Sequence, residues 1–363
     1  MQIPLMAILL ALGVALLITP LVRKWAFKLG ALDRPEQRKV HQKVMPRLGG
    51  LAVFIAFTTA VLLTQELSSN ILGLLVGGGL IILLGIADDT RGLSPKVKLA
   101  GQVVASCAVI YFGVTVEFLT NPFTNPFSDE MLALGFLSIP VTVLWIVSVT
   151  NAVNLIDGLD GLAGGTVCIA SLTLATVVWI ESTVPGQYEA INLALILAAA
   201  VLGFLRYNFY PARIFLGDTG SMYLGFSVAV LSVMGLAKSA TFISVIIPVV
   251  ILGIPLLDTT CAIIRRFLGQ KPIFQPDKEH LHHRLMKMGL SHRQVVLCIY
   301  GVNIVLGVSA IVLTLMTPKQ AIIFLVVLST AVLILANKLG VTGARSRAAY
   351  TTQPNKQQRS SHL

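Results

Sequence analysis

Asn151–Gly165 reads NAVNLIDGLDGLAGG and lies between two long apolar runs. It holds two asparagines and two carboxylates but no lysine or arginine. On a helix, Asn154, Asp157 and Asp160 are three residues apart and would share one face. An unpaired buried charge is costly, so acids at the end of an apolar run require a metal ion or a cation from elsewhere in the chain. A second cluster, GIADDTRGLSPKVK, carries the neighbours Asp88 and Asp89. On a helix these point about 100° apart, so they need not do the same job. Like charges this close raise at least one pKa, which suits a general base; the other acid can hold a basic partner such as Lys98. A third, RYNFYPARIFLGDTGS, sets Asp218 between glycines and before Thr219 at the start of an apolar run. Acid, hydroxyl and exposed backbone N–H groups there suit phosphate and Mg²⁺ together. The plainer alternative is a helix cap.

Two basic loops accompany the acids. DRPEQRKVHQKVMPRLGG, from Asp33 to Gly50, carries Arg34, Arg38, Lys39, His41, Lys43 and Arg47. It reads as a topology signal or as a surface for lipid phosphate. The stretch from Arg265 to Arg293 contains KPIFQPDKEHLHHRL, with His280, His282 and His283 beside Asp277 and Arg284. Three histidines raise the question of zinc, but there is no cysteine and no His pair at i, i+4. Hydrogen bonding to a pyrophosphate fits them better.

The elements that must position these groups are membrane helices. Of 363 residues, 55% are hydrophobic and 12% charged, against about 25% charged in a soluble domain; the mean hydropathy is +0.84. Eleven apolar runs appear, near 4–22, 49–64, 71–87, 99–116, 132–150, 162–180, 190–205, 221–237, 242–260, 295–316 and 320–337. Each is read as one transmembrane helix. The first lacks a basic leader and a cleavage site and is read as retained. With the amino terminus outside, 25 of the 27 Lys and Arg residues fall on the cytoplasmic side, and only Lys238 and Lys319 do not. An odd span count leaves the basic carboxyl terminus cytoplasmic, as the positive-inside rule requires. Of nine aspartates all but Asp129 lie on that same side. The net charge of +11 is therefore a matter of topology and not of nucleic-acid binding. Cys107, Cys168, Cys261 and Cys298 form no CxxC pair and read as small core residues. The expected organisation is an all-α polytopic membrane domain over 1–340, followed by a polar, basic, disordered tail over 341–363.

NAVNLIDGLDGLAGG, the DD pair after the third span, FLGDTGS and HLHHRL occur here in the order found in the polyprenyl-phosphate N-acetylhexosamine-1-phosphate transferases. The chain resembles that family over about 20–340. It is most similar to the bacterial branch that starts teichoic acid and O-antigen synthesis. The branch acting on UDP-MurNAc-pentapeptide carries three consecutive histidines, where this chain has His280-Leu281-His282-His283. The resemblance implies a reaction at the cytoplasmic face of the bacterial cell membrane. UDP-GlcNAc and undecaprenyl phosphate would give undecaprenyl-diphospho-GlcNAc and UMP, with Mg²⁺ (or Mn²⁺) as cofactor. On that reading Asp218 is the first metal ligand, with Asn154 or Asp157 assisting. Asp88 positions or deprotonates the lipid phosphate, with Asp89 in support. Lys98 meets a phosphate, Asn208 and Asp160 face the nucleotide, and Arg265, His280, His282 and His283 hold pyrophosphate or sugar. Alternatives are the same reaction on another UDP-N-acetylhexosamine or on UDP-MurNAc-pentapeptide, a secondary transporter, or a lipid-binding scaffold. Transporter acids gather towards the midplane beside related half-repeats, whereas these gather at one face.

Overall fold

A computed structural model describes residues 4–33, 44–120, 131–181, 187–236, 242–270 and 280–339. The tail over 341–363, Arg34, Arg38, Lys39, His41, Lys43 and Asp277 lie outside the described residues. The chain is nearly all helical. The helices are α1 (Leu5–Leu29), α2 (Gly49–Thr64), α3 (Ser69–Arg91), α4 (Pro95–Tyr111), α5 (Ser138–Ile156), α6 (Leu162–Glu181) and α7 (Gln187–Asn208). They continue with α8 (Gly217–Leu236), α9 (Phe242–Ile251), α10 (Gly253–Leu268), α11 (Leu281–Lys287), α12 (His292–Thr314) and α13 (Pro318–Lys338). Two short antiparallel hairpins pair Leu32–Asp33 with Met45–Pro46 and Phe118–Thr120 with Met131–Ala133. Among the described residues, seven helices (α1, α3, α5, α6, α7, α12 and α13) are long and apolar enough to cross a membrane, and α2 is a shorter apolar helix.

Three expectations change. The run 242–260, expected as one span, is two helices: α9 ends at Ile251 and α10 starts at Gly253. The break falls beside Gly253 and Pro255, residues that interrupt a helix, and it parts the uncharged α9 from α10, which carries Asp258, Arg265 and Arg266. Second, Asn154, Asp157 and Asp160 do not share a helical face. α5 ends at Ile156 with Asp157 as its cap residue, and Asp160 lies in the turn before α6. Gly161 there has φ +79°, a conformation that glycine adopts without strain. The cysteines also differ from expectation, since Cys107 and Cys298 lie on the outer surface of the bundle and only Cys168 is buried.

Close helix approach sets the core. α1 buries a stripe of small residues, Ala7, Ala11, Ala15, Thr19, Val22 and Ala26, and the Thr19 hydroxyl is satisfied by the Ala15 carbonyl at 2.6 Å. Small stripes let helix backbones meet without a bulky side chain between them. The same device wedges the start of α8 between α2 and α3. A Cβ on Gly50 would sit 2.0 Å from the Gly220 Cα, and one on Gly85 would sit 2.3 Å from the Thr219 Cα. This wedge delivers Asp218 to the end of α3, where Asp88 and Asp89 lie. The ends of α3, α5 and α7 and the starts of α2, α4, α6, α8 and α12 all converge at this one end of the bundle.

Candidate active site

Asp89 has a side chain with no exposed surface, and all three of its hydrogen bonds fix the start of α8. Its Oδ1 accepts from the Asp218 N–H at 3.0 Å, and its Oδ2 accepts from the Thr219 N–H at 2.9 Å and the Thr219 hydroxyl at 2.7 Å. A helix leaves its first N–H groups without partners and carries partial positive charge there. Asp89 thus caps α8 from another helix. Gly217, at φ +73°, allows the tight entry, and a Cβ there would meet Asp89 Oδ2 at 2.5 Å.

Asp218 itself is partly exposed, at 24% of its side chain. Asn154 on α5 donates to its Oδ1 at 2.6 Å and to Ser221 Oγ at 2.8 Å. Two cations approach its Oδ2: Arg47 Nη2 at 3.5 Å and Lys98 Nζ at 3.8 Å. Asp88, buried like Asp89, lies against the Asp218 carboxylate. Its Oδ1 accepts from the Leu93 N–H at 2.7 Å and its Oδ2 meets Lys98 Nζ at 2.9 Å. The neighbouring acids of the DD pair therefore do divide their work. Asp88 holds Lys98, while Asp89 holds α8 and faces Arg47 at 3.4 Å.

Burial first, and then the charge of Asp218, pushes the Asp157 carboxyl up to about 8, with Arg47 opposing. Burial lowers the Arg47 guanidinium pKa, but Asp89, Asp218 and Asp33 more than compensate, and the net shift is upward. Arg47 is the cation that the sequence left unassigned. It stands in the basic first loop and reads there as a topology signal.

Asp160 and Asn208 brace loops. Asp160 Oδ2 accepts from the Ala212 N–H at 2.9 Å. Asn208, buried, accepts from the Gly161 N–H at 3.1 Å and donates to the Ile214 carbonyl at 3.0 Å. α12 grips the same turn from the other side. The Asp160 N–H donates to His292 Nε2 at 2.9 Å, and the Tyr300 hydroxyl donates to the Gly161 carbonyl. Sequence reasoning missed His292 and Tyr300: His292 stands among the polar residues that open α12, and Tyr300 sits in its apolar run as any core tyrosine would.

The histidines form a separate wall. Asp258 on α10 accepts the Leu281 N–H at 2.9 Å and pairs with His280 Nδ1 at 2.8 Å, both side chains buried. The His280 and His282 rings lie parallel, 6.0 Å apart, and His283 stands 4.2 Å from His282. A Cβ on Gly158 would meet His282 Nε2 at 2.4 Å, so this wall packs directly on the DGLDG turn. Arg265 is half-buried in the last turn of α10. Burial, with the neighbouring His283 and His280, pushes the His282 imidazole down to about 3. The folded protein therefore binds fewer protons than the unfolded chain between about pH 3 and 6.5. Stability from His282 is complete above pH 6.5 and is lost as the pH falls, by about 2 kcal/mol at pH 5. The thermal midpoint in detergent should fall from pH 7 to pH 5, and His282→Gln should flatten that slope. An unchanged slope in the variant would remove His282 as the source.

The donors around Asp218 are hard oxygens of the kind Mg²⁺ prefers. Among the described residues no three His, Cys, Asp or Glu side chains are gathered tightly enough to hold a metal by themselves. Mg²⁺ commonly takes one or two protein carboxylates and completes its shell with substrate phosphates and water, so the residues fit that ion.

Carboxylates, a lysine and an arginine gathered at one end of a helical membrane bundle are the parts of a site for anionic substrates. The profile of glycosyl transferase family 4 matches residues 71–236. A relative in Bacillus subtilis, named a probable undecaprenyl-phosphate N-acetylglucosaminyl 1-phosphate transferase, is 45% identical over 340 residues, 93% of each chain. A decaprenyl-phosphate N-acetylglucosaminephosphotransferase of Mycolicibacterium smegmatis is 36% identical over 77% of this chain and 74% of its own length. The Escherichia coli K12 undecaprenyl-phosphate alpha-N-acetylglucosaminyl 1-phosphate transferase is 28% identical over 75% of this chain and 73% of its own. The chain belongs to this family of polyprenyl-phosphate N-acetylglucosaminyl 1-phosphate transferases, and that membership displaces the transporter and scaffold readings.

Proposed function

We propose that this enzyme transfers GlcNAc-1-phosphate from UDP-GlcNAc to undecaprenyl phosphate, releasing UMP, as the first membrane step of a cell-envelope glycopolymer. The observation that carries the reading is the convergence of Asp88, Asp218, Asn154, Lys98 and Arg47 from four helices and the strand before α2. Two anionic reactants repel, and phosphoryl transfer depends chiefly on neutralising and positioning them. A polar end shared by so many helices also brings lipid and nucleotide together at a surface. The distribution of basic residues supports an outside amino terminus, a cytoplasmic site and eleven spans.

Roles follow from the contacts. Asp218 is the first ligand for Mg²⁺, with Asp157 and the Asn154 amide oxygen beside it; the ion would offset phosphate charge and polarise the bond to the leaving UMP. Lys98, held by Asp88 at 2.9 Å, presents an ammonium to the lipid phosphate. Asp88 Oδ1 accepts from the Leu93 N–H, and its Oδ2 pairs with Lys98 at 2.9 Å as an ion contact without a closed hydrogen bond. Orienting Lys98 is role enough, because a phosphate monoester is already largely ionised at neutral pH (pKa about 6). Asp160 and Asn208 shape the loop facing the nucleotide, and Asp258 fixes the histidine wall on the sugar side.

The test is direct. Purified enzyme in detergent, given radiolabelled UDP-GlcNAc, undecaprenyl phosphate and Mg²⁺, should yield lipid-linked GlcNAc and UMP in equal amounts. Release of UDP in place of UMP would overturn the reaction. A preference for another UDP-N-acetylhexosamine in a donor panel would revise only the sugar.

A further inference from the structure

Arg47 occupies the place where the site's charge balance is decided. Its Nη2 stands 3.4 Å from Asp89 Oδ1 and 3.5 Å from Asp218 Oδ2, and its Nη1 is 3.9 Å from Asp33 Oδ1. A made charge-assisted bond is about 2.7–2.9 Å. Arg47 therefore neutralises three acids without closing a tight bond to any of them. Lys98 is also distant from Asp218, at 3.8 Å, while it pairs closely with Asp88. Asp218 Oδ1 is tied to Asn154 and the Asp88 carboxyl lies against Asp218, but neither cation closes on its Oδ2.

The Arg47 backbone, by contrast, is pinned. Its N–H donates to Ala31 O at 3.0 Å, Phe215 N–H donates to Pro46 O at 2.9 Å, and Gly49 N–H donates to Phe215 O at 3.0 Å. A fixed main chain carries a long, planar head that remains 31% exposed. That head can swing between partners while its root stays in place, and its rigid fork suits both carboxylate and phosphate.

We propose that Arg47 is an exchangeable counter-charge. In the free enzyme it rests over Asp218 and Asp89 and holds the place of the divalent cation. When the cation arrives with the nucleotide, Arg47 leaves Asp218 and turns to the donor's diphosphate. This inference rests on the reading of Asp218 as metal ligand. It adds that one side chain both delays metal binding in the empty site and rewards it in the loaded one.

The experiment measures Mn²⁺ binding by electron paramagnetic resonance on the full chain in detergent, without and then with UDP. Arg47→Gln removes a full charge only a few ångströms from the ion. It should bind Mn²⁺ alone about tenfold tighter than wild type, yet bind UDP in the presence of Mn²⁺ about tenfold more weakly. Arg47→Lys, which keeps the charge, should stay near wild type for Mn²⁺ alone. Unchanged or weaker Mn²⁺ affinity in Arg47→Gln would overturn the exchange while leaving the metal site standing. Mn²⁺ binding that survives Asp218→Asn undiminished would overturn the metal assignment itself, and the exchange with it.

Discussion

Asp218→Asn is expected to lower turnover by about 10²–10³-fold, while the protein stays folded with its thermal midpoint only slightly lowered. The two halves of this result have separate causes. Asparagine keeps the size of the side chain and leaves the backbone N–H of residue 218 on Asp89. It takes away a charge that presses on Asp157 but that the fold on balance favours: burial pushes the Asp218 carboxyl up, and Asp88, Lys98, Asn154 and Arg47 together hold it below its usual range. Losing such a charge costs some stability, and little of it, because the side chain is partly exposed. Asparagine also removes the carboxylate most open to a metal ion, the one that two cations approach without closing on it. Turnover at saturating Mg²⁺ and a melting curve on the same preparation would check both halves. Near wild-type turnover would move the metal to Asp157 and Asn154. A large fall in midpoint would instead make Asp218 a structural acid.

The sequence made some of this arrangement readable and hid the rest, for physical reasons. Lipid demands long apolar helices, so the eleven runs coincide with helices, the ninth of them with two. The acids at the run ends also stand out, and for Asp88 the partner Lys98 is legible in the same segment. The other cation of the cluster is distant in sequence. Arg47 meets Asp89 and Asp218 only because Gly50 and Gly85 let α2, α3 and α8 touch at the backbone, and no local pattern encodes that approach. His292 and Tyr300 act on main-chain groups 132 and 139 residues away, and a backbone partner leaves no mark on residue type. Asp157 and Asp160 were placed on one helical face by their spacing, but the glycines between and after them end the helix first.

Asp89→Ala is expected to be the most damaging single change at the site, and for a different reason from Asp218→Asn. The Asp89 side chain is fully buried and takes three hydrogen bonds from the start of α8. Alanine would leave two N–H groups and one hydroxyl without acceptors, each costing about 1–3 kcal/mol when buried. It would also take from Arg47, partly exposed and 3.4 Å away, one of its three counter-charges, a smaller loss. These penalties share the same atoms and do not add in full, so about 3–5 kcal/mol is the expected loss, seen as a fall of several degrees in the midpoint and faster proteolysis. Turnover should fall with it, because the carboxylate of Asp218 is aimed by the helix start that Asp89 holds. Asp89→Asn separates capping from charge. Its single oxygen can still accept from residue 218 or Thr219, so it should recover part of the stability. It cannot restore the anion facing Arg47, so that recovery should stop short of wild type. Full recovery of stability in Asp89→Asn would mean that Asp89 serves α8 alone and that Arg47 is held by Asp218 and Asp33. A midpoint untouched by Asp89→Ala would mean that the glycine-lined contacts of α8 with α2 and α3 fix its start without help from a cap.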